Sequence, residues 1–151
     1  TGSGNDVINV DQGMVDALQR IGMQDGVYAR IDAGNGSDTL ALTGGVNLDL
    51  TVVANQGAGF SRIESIETID LATDASANTL TLSLKDVMDI NEGTKLTIDG
   101  SANDTVDLAD LSLWKAPTTS VEGGTTYNVY TTVSPTTSAV ELWVQDGIQV
   151  I

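Results

Sequence analysis

Four times along the chain, a short polar turn ending in Asp or Asn opens directly into a strand of alternating character. Gly2-Ser3-Gly4-Asn5-Asp6 runs into Val7-Ile8-Asn9-Val10, and Gly34-Asn35-Gly36-Ser37-Asp38 into Thr39-Leu40-Ala41-Leu42. Gly100-Ser101-Ala102-Asn103-Asp104 leads Thr105-Val106-Asp107-Leu108, and a weakened Asp74-Ala75-Ser76-Ala77-Asn78 leads Thr79-Leu80-Thr81-Leu82. Glycine takes positive φ without a steric penalty and lets backbone carbonyls come close to a ligand. Alternation at period two gives each strand one apolar face. Four residues cannot shield such a face alone, so the units must stack and share a core. Aromatics make up only 4% of the chain, so that core is expected to be aliphatic.

The turn-plus-strand unit resembles the nonapeptide G-G-x-G-x-D-x-U-x of the RTX proteins. The copies at 2–8 and 34–40 match best; Ala33 and Ala102 stand where the pattern has glycine. Their spacing is irregular: 32 residues from Asp6 to Asp38, 40 from Asp38 to Asn78 and 26 from Asn78 to Asp104. The resemblance implies a mainly β fold. It is an irregular, calcium-binding parallel β-solenoid or β-roll with short helices, ending in an antiparallel strand pair. Residues 1–110 form the degenerate solenoid and 111–151 a C-terminal cap, together one domain.

In that family calcium lies between successive turns, held by turn carbonyls and by the Asp that ends each turn. The matching residues are Asp6, Asp38 and Asp104 for the carboxylates and Gly2, Gly4, Gly34, Gly36 and Gly100 for the carbonyls. Asp32 and Asp99 stand just before turns and are candidates to assist. Calcium takes about six to eight oxygens, so one turn alone does not suffice. The competing reading is a set of tight turns closed by Asx hydrogen bonds, with no ion.

Charge narrows the function classes. Six Lys and Arg face 21 Asp and Glu, a formal net charge of −15. This disfavours nucleic acid and anionic membrane surfaces as partners. The chain has no Cys and no His, which removes Ser-His-Asp and Cys-His catalysis and ordinary zinc sites. No apolar run nears the ~20 residues of a membrane span. No constellation supports an enzyme. The chain opens on a partial repeat and reads as a piece of a longer protein.

Between the turns, Asp11 is placed to cap a helix from Gln12 to Ile21 with Met14, Val15, Leu18 and Ile21 on one face. Val27 to Ile31 reads as a strand and Gln56 to Phe60 as a Gly-rich loop. Ile63, Ile66, Ile69 and Leu71 read as inward positions, with Glu64 and Glu67 facing water. Leu84 to Ile90 suits one or two helical turns, with Leu84, Val87 and Met88 inward. Asp107 to Trp114 has mixed periodicity and is left open. Pro117 to Gly124 reads as a loop. Thr125–Val133 and Ala139–Gln145 read as antiparallel strands joined through Pro135.

The segments 63–71, 78–87, 98–106 and 123–130 together look like the C-terminal region of giant RTX adhesins of Gram-negative bacteria. The resemblance implies a monomeric, calcium-folded part of a secreted or cell-surface protein, active in adhesion and biofilm formation. It also implies export by a type I secretion machinery through an uncleaved signal near Val140 to Ile151. A parent adhesin would engage a host-surface ligand. The alternative is a module that itself grips sugar or peptide.

Overall fold

The computed structural model describes residues 2–20, 29–54, 61–91, 93–133 and 139–151. In chain order the elements are β1 (Gly2–Ser3), β2 (Val7–Val10), α1 (Gln12–Gln19), β3 (Ile31–Asp32), β4 (Gly34–Asn35), β5 (Thr39–Leu42) and β6 (Asn47–Asp49). Then follow β7 (Ile63–Glu64), β8 (Thr68–Asp70), β9 (Thr79–Leu82), α2 (Leu84–Ile90), β10 (Lys95–Asp99) and β11 (Thr105–Leu108). The chain closes with β12 (Thr118–Glu122), β13 (Thr125–Thr131), β14 (Glu141–Gln145) and β15 (Gln149–Val150).

The fold is mainly β, with two helices and parallel sheets. One sheet runs β12-β13-β14-β10-β8-β5-β2; a second runs β15-β11-β9-β6. From β5 onward the chain alternates between them: β5 then β6, β8 then β9, β10 then β11, β14 then β15. Every pairing among β2, β5, β8, β10 and β14 is parallel, as is every pairing in the second sheet. The irregular sequence spacing leaves this register intact.

Register turns the alternation into ladders. Ile8, Leu40, Ile69, Ile98 and Val144 stand in line across the large sheet. Leu48, Leu80, Val106 and Val150 do the same across the second. Leu40, Ile69, Ile98, Val144, Leu48, Leu80 and Val106 are fully buried. Each such aliphatic side chain contributes about 1.5–3 kcal/mol when removed from water. Ile63, Ile66, Ile69 and Leu71 are buried as their spacing suggests.

α1 starts where expected. The Asp11 side chain accepts the Met14 amide at 3.0 Å, and Val15 and Leu18 are buried. The helix ends at Gln19; Ile21 lies outside the described residues. It packs beside β2 and β6, and Gln19 Oε1 accepts the Asp49 amide at 2.7 Å. Arg62 donates to the Leu18 and Arg20 carbonyls, which satisfies two acceptors at the helix C-terminus. The helix thus sits along the β6 edge of the second sheet.

Several expectations are corrected. Met88 is exposed: Val87 and Ile90, three residues apart and so on one face of α2, carry its buried side, and Met88 turns away from it. Ser83 and Asp86 form the capping box that starts the helix. Residues 118–122 are a strand, not a loop. Gly123 and Gly124, at φ +60° and +88°, make the two-residue turn that pairs β12 with β13. Ile31 opens strand β3 rather than ending one. Asp107–Trp114 resolves into the end of β11 and a 3₁₀ turn at Leu111–Leu113.

β13 and β14 pair antiparallel as expected, while β14 also runs parallel to β10 and so extends the large sheet. The Gln56–Phe60 loop and the Pro135 link lie outside the described residues. Among the described residues no helix is long and apolar enough to cross a membrane.

Candidate functional site

The Asp- and Asn-ended turns stand in two columns, one at the entry to each sheet. In the first, the Gly2–Asp6 turn lies directly on the Gly34–Asp38 turn. β1 and β4 pair Gly2 with Gly34 and Ser3 with Asn35. The Gly2 amide donates to the Ala33 carbonyl at 3.2 Å and the Gly4 amide to Asn35 at 2.9 Å. Gly34 and Gly36 hold φ of +97° and +152°, and a Cβ on either would overlap the carbonyl oxygen of Gly2 or Gly4. Glycine is required there for close approach as well as for φ.

One rule links the turns. The side chain just before each strand accepts the backbone amide at the matching position one turn earlier. Asp38 Oδ1 accepts the Asp6 amide at 2.7 Å, and Glu67 Oε2 accepts the Asp38 amide at 2.7 Å. In the second column Asn78 Oδ1 accepts from Val46 and Asp104 Oδ1 from Asn78, each at 2.9 Å. Asp38, Asn78 and Asp104 are at most 1% exposed. A buried carboxylate is costly unless hydrogen bonds or charge compensate it.

The columns differ in how far they are compensated. Asp104 Oδ2 accepts both the amide and the hydroxyl of Ser101, at 2.7 and 2.8 Å. Asn78 donates its amide group to the Leu71 and Ser76 carbonyls. The second column is thus closed by its own hydrogen bonds. Asp38 Oδ2, by contrast, is buried and accepts nothing among the described residues. Buried polar atoms without a partner are rare.

Asp38 Oδ2 is therefore the acceptor that a cation at this turn would satisfy. Among the described residues no three Asp or Glu side chains converge as a metal cluster. The other candidates have other partners. Asp32, two residues before Gly34, is exposed and 3.4 Å from Arg30. Asp99 accepts the Tyr127 hydroxyl at 2.7 Å. The Gly100 amide donates to Gln145 Oε1 at 3.0 Å, and Asp104 belongs to the closed column. The structure stacks the Gly2–Asp6 turn on the Gly34–Asp38 turn, and places Asp99, Gly100 and Asp104 on another part of the chain.

Glu67, read as facing water, and Asp74, read as the head of a weakened turn, both link turns, a role their sequence context does not announce. Glu67 stands before Thr68, in register with Asp38 before Thr39, but no glycine flags its turn. Asp74 ties two turns of the second column: Oδ2 accepts the Thr43 hydroxyl and Gly44 amide, each at 2.8 Å, and Oδ1 the Ser76 amide. These bonds, the Ser76 amide foremost and then Thr43 and Gly44, hold its carboxyl at about 2. Glu64, expected in water, is 3% exposed and bonded to Arg30. β3 and β7 pair side by side and bring the guanidinium to it.

Comparison with family models, with curated proteins and with solved structures finds no match to the chain.

Proposed function

We propose that the chain is a calcium-stabilised parallel β-solenoid of the RTX type, the C-terminal region of a secreted bacterial adhesin. The observation that carries this reading is Asp38: a fully buried carboxylate with one oxygen unpartnered, between directly stacked glycine turns. When bound, calcium supplies positive charge to Asp38 Oδ2 and to neighbouring turn carbonyls. The chain's residues do the rest. Gly34 and Gly36 let the two turns touch, Asp6 and Glu67 fix the carboxylate's place in the column, and the aliphatic ladders hold both sheets in register.

The net charge of −15 opposes compaction where divalent cations are scarce. Outside the cell, an ion that binds only the folded state stabilises it by mass action. The chain is then exported unfolded by a type I machinery and folds at the cell surface. The hydrogen-bonded second column closes without an ion, so calcium acts chiefly on the Gly2–Asp38 end.

Calorimetric titration of the purified chain, with melting followed by circular dichroism, tests this. The expected result is saturable calcium binding and a higher melting temperature, both lost in Asp38→Asn. Identical melting in chelator and in millimolar calcium overturns it. Deleting Val140–Ile151 is expected to abolish export through a co-expressed type I transporter.

A further inference from the structure

The β12–β13 hairpin and the outer face of β8 and β10 border an open groove of about 550 Å³, lined by polar residues and a glycine, with carbon making up about half of the exposed surface. Its floor carries Thr68 and Thr97, side by side on neighbouring strands and so about 4.8 Å apart. Glu67 and Asp99 stand along it, with Lys95 and Tyr127. Tyr127 packs against Trp143, ring centroids 5.7 Å apart, and its hydroxyl donates to Asp99 Oδ1. Burial first, and Asp99 second, push that hydroxyl up to about 12, so it stays a donor and leaves Asp99 Oδ2 to accept. Glu67 uses Oε2 for the Asp38 amide and keeps Oε1.

We propose that this groove binds a neutral saccharide of one or two pyranose units. The volume suits a small polar ligand. Adjacent carboxylate and threonine oxygens accept and donate to neighbouring hydroxyls, and Lys95 adds a donor. Three carboxylates, Glu67, Asp99 and Glu122, against one ammonium repel phosphorylated, sulfated or uronic ligands. The carbon in the lining belongs to polar side chains and one glycine, and among the described residues no Leu, Ile, Val or Met lines the groove to seat a lipid. The same carboxylates attract an organic cation, which is therefore the competing ligand in the test; Lys95 opposes it, placed 3.8 Å over the Trp143 ring and paired with Glu122. β8, β10, β12 and β13 supply most of the groove, while Ser37 of the Gly34–Asp38 turn and Glu67, which holds the Asp38 amide, form its end nearest the proposed calcium site, so the two readings are tested separately.

The test is a backbone-amide NMR titration of the whole chain with glucose, galactose, fucose, N-acetylglucosamine and maltose. It is run once in calcium and once in chelator. Saturable shifts confined to Thr68, Thr97, Asp99 and Tyr127 are expected for at least one sugar. Asp99→Asn and Thr97→Val should each weaken binding about tenfold, roughly one hydrogen bond's worth, with melting unchanged. Absence of saturable shifts with every sugar, shifts elsewhere, or stronger binding of spermidine overturns the proposal. Sugar binding that persists in chelator separates this outcome from the fate of the calcium reading.

Discussion

Asp38 takes the backbone amide of Asp6 at 2.7 Å on one carboxylate oxygen and buries the other with no donor among the described residues. The same side chain is both a staple between turns and an uncompensated charge. The two roles can be separated by substitution.

Asp38→Asn keeps an oxygen for the Asp6 amide and removes the buried charge. In chelator it is expected to stabilise the chain, because a buried charge costs more than the neutral amide that replaces it, by less than the full cost of an unsatisfied group because the new NH2 itself needs an acceptor. In calcium the variant should show no rise in melting temperature, while Asp38→Ala destabilises under both conditions. A denaturant series in chelator and in calcium checks the pair.

Asp104 serves three donors: the Asn78 amide, the Ser101 amide and the Ser101 hydroxyl. Asp104→Ala leaves the buried Asn78 amide without an acceptor and strips the part-buried Ser101 amide and hydroxyl of theirs, so a loss of about 2–3 kcal/mol is expected. The loss should be the same with and without calcium. Urea unfolding reads it, and a cost under about 1 kcal/mol would remove the side-chain staple as a general feature of both columns.

Asp74 sets an acid limb. Its folded carboxyl is held at about 2 against an ordinary 3.8. A depressed value means that the ionised form favours the folded state. Its contribution is complete above the ordinary value and is lost as pH falls from about 4 to about 2. Asp74 is exposed, so the effect is modest in size. Asp74→Asn should flatten the fall of melting temperature across that window and leave stability near neutral pH little changed.

Gly2 and Gly34 both hold positive φ, at +146° and +97°, but only a Cβ on Gly34 meets a neighbouring backbone. Left-handed strain costs a non-glycine residue about 1–2 kcal/mol. Gly34→Ala should therefore cost clearly more than Gly2→Ala. Amide exchange across Gly2–Val10 should rise in the first variant only. Equal effects in both would show that the turns do not touch as closely as β1 and β4 pair them.

Local pattern made the strands, the ladders and both helices legible, since period-two alternation and the Asp11 and Ser83 caps act over a few residues. Asp38, Asn78 and Asp104 were visible because each sits at a turn before a strand. Asn78, read as a decayed copy, is as much a structural member as its neighbours, because an amide oxygen accepts a backbone hydrogen bond as a carboxylate does. Glu64 was misplaced in water, because its partner Arg30 lies 34 residues away and only the stacking brings it near. Glu67 is half-buried, and its bond to the Asp38 amide, 29 residues away, was equally out of local reach. Asp99 was a candidate from its place before a turn and Gly100 from its match to the repeat's glycine; the structure adds Tyr127 on Asp99 and Gln145 on the Gly100 amide, both from the C-terminal strands. The groove beside them depends on β12, which Gly123-Gly124 folds back and which reads locally as loop.

Four staples run one way: the later residue's side chain grasps the earlier residue's amide, from Asp38 to Asp6, Glu67 to Asp38, Asn78 to Val46 and Asp104 to Asn78. Between the first two turns a reverse link exists as well, the Ser37 amide on Asn5 Oδ1 at 3.1 Å. Trimming the first turn therefore frees the Ser37 amide but leaves the later latches shut, whereas cutting from the back springs open the last coil that remains.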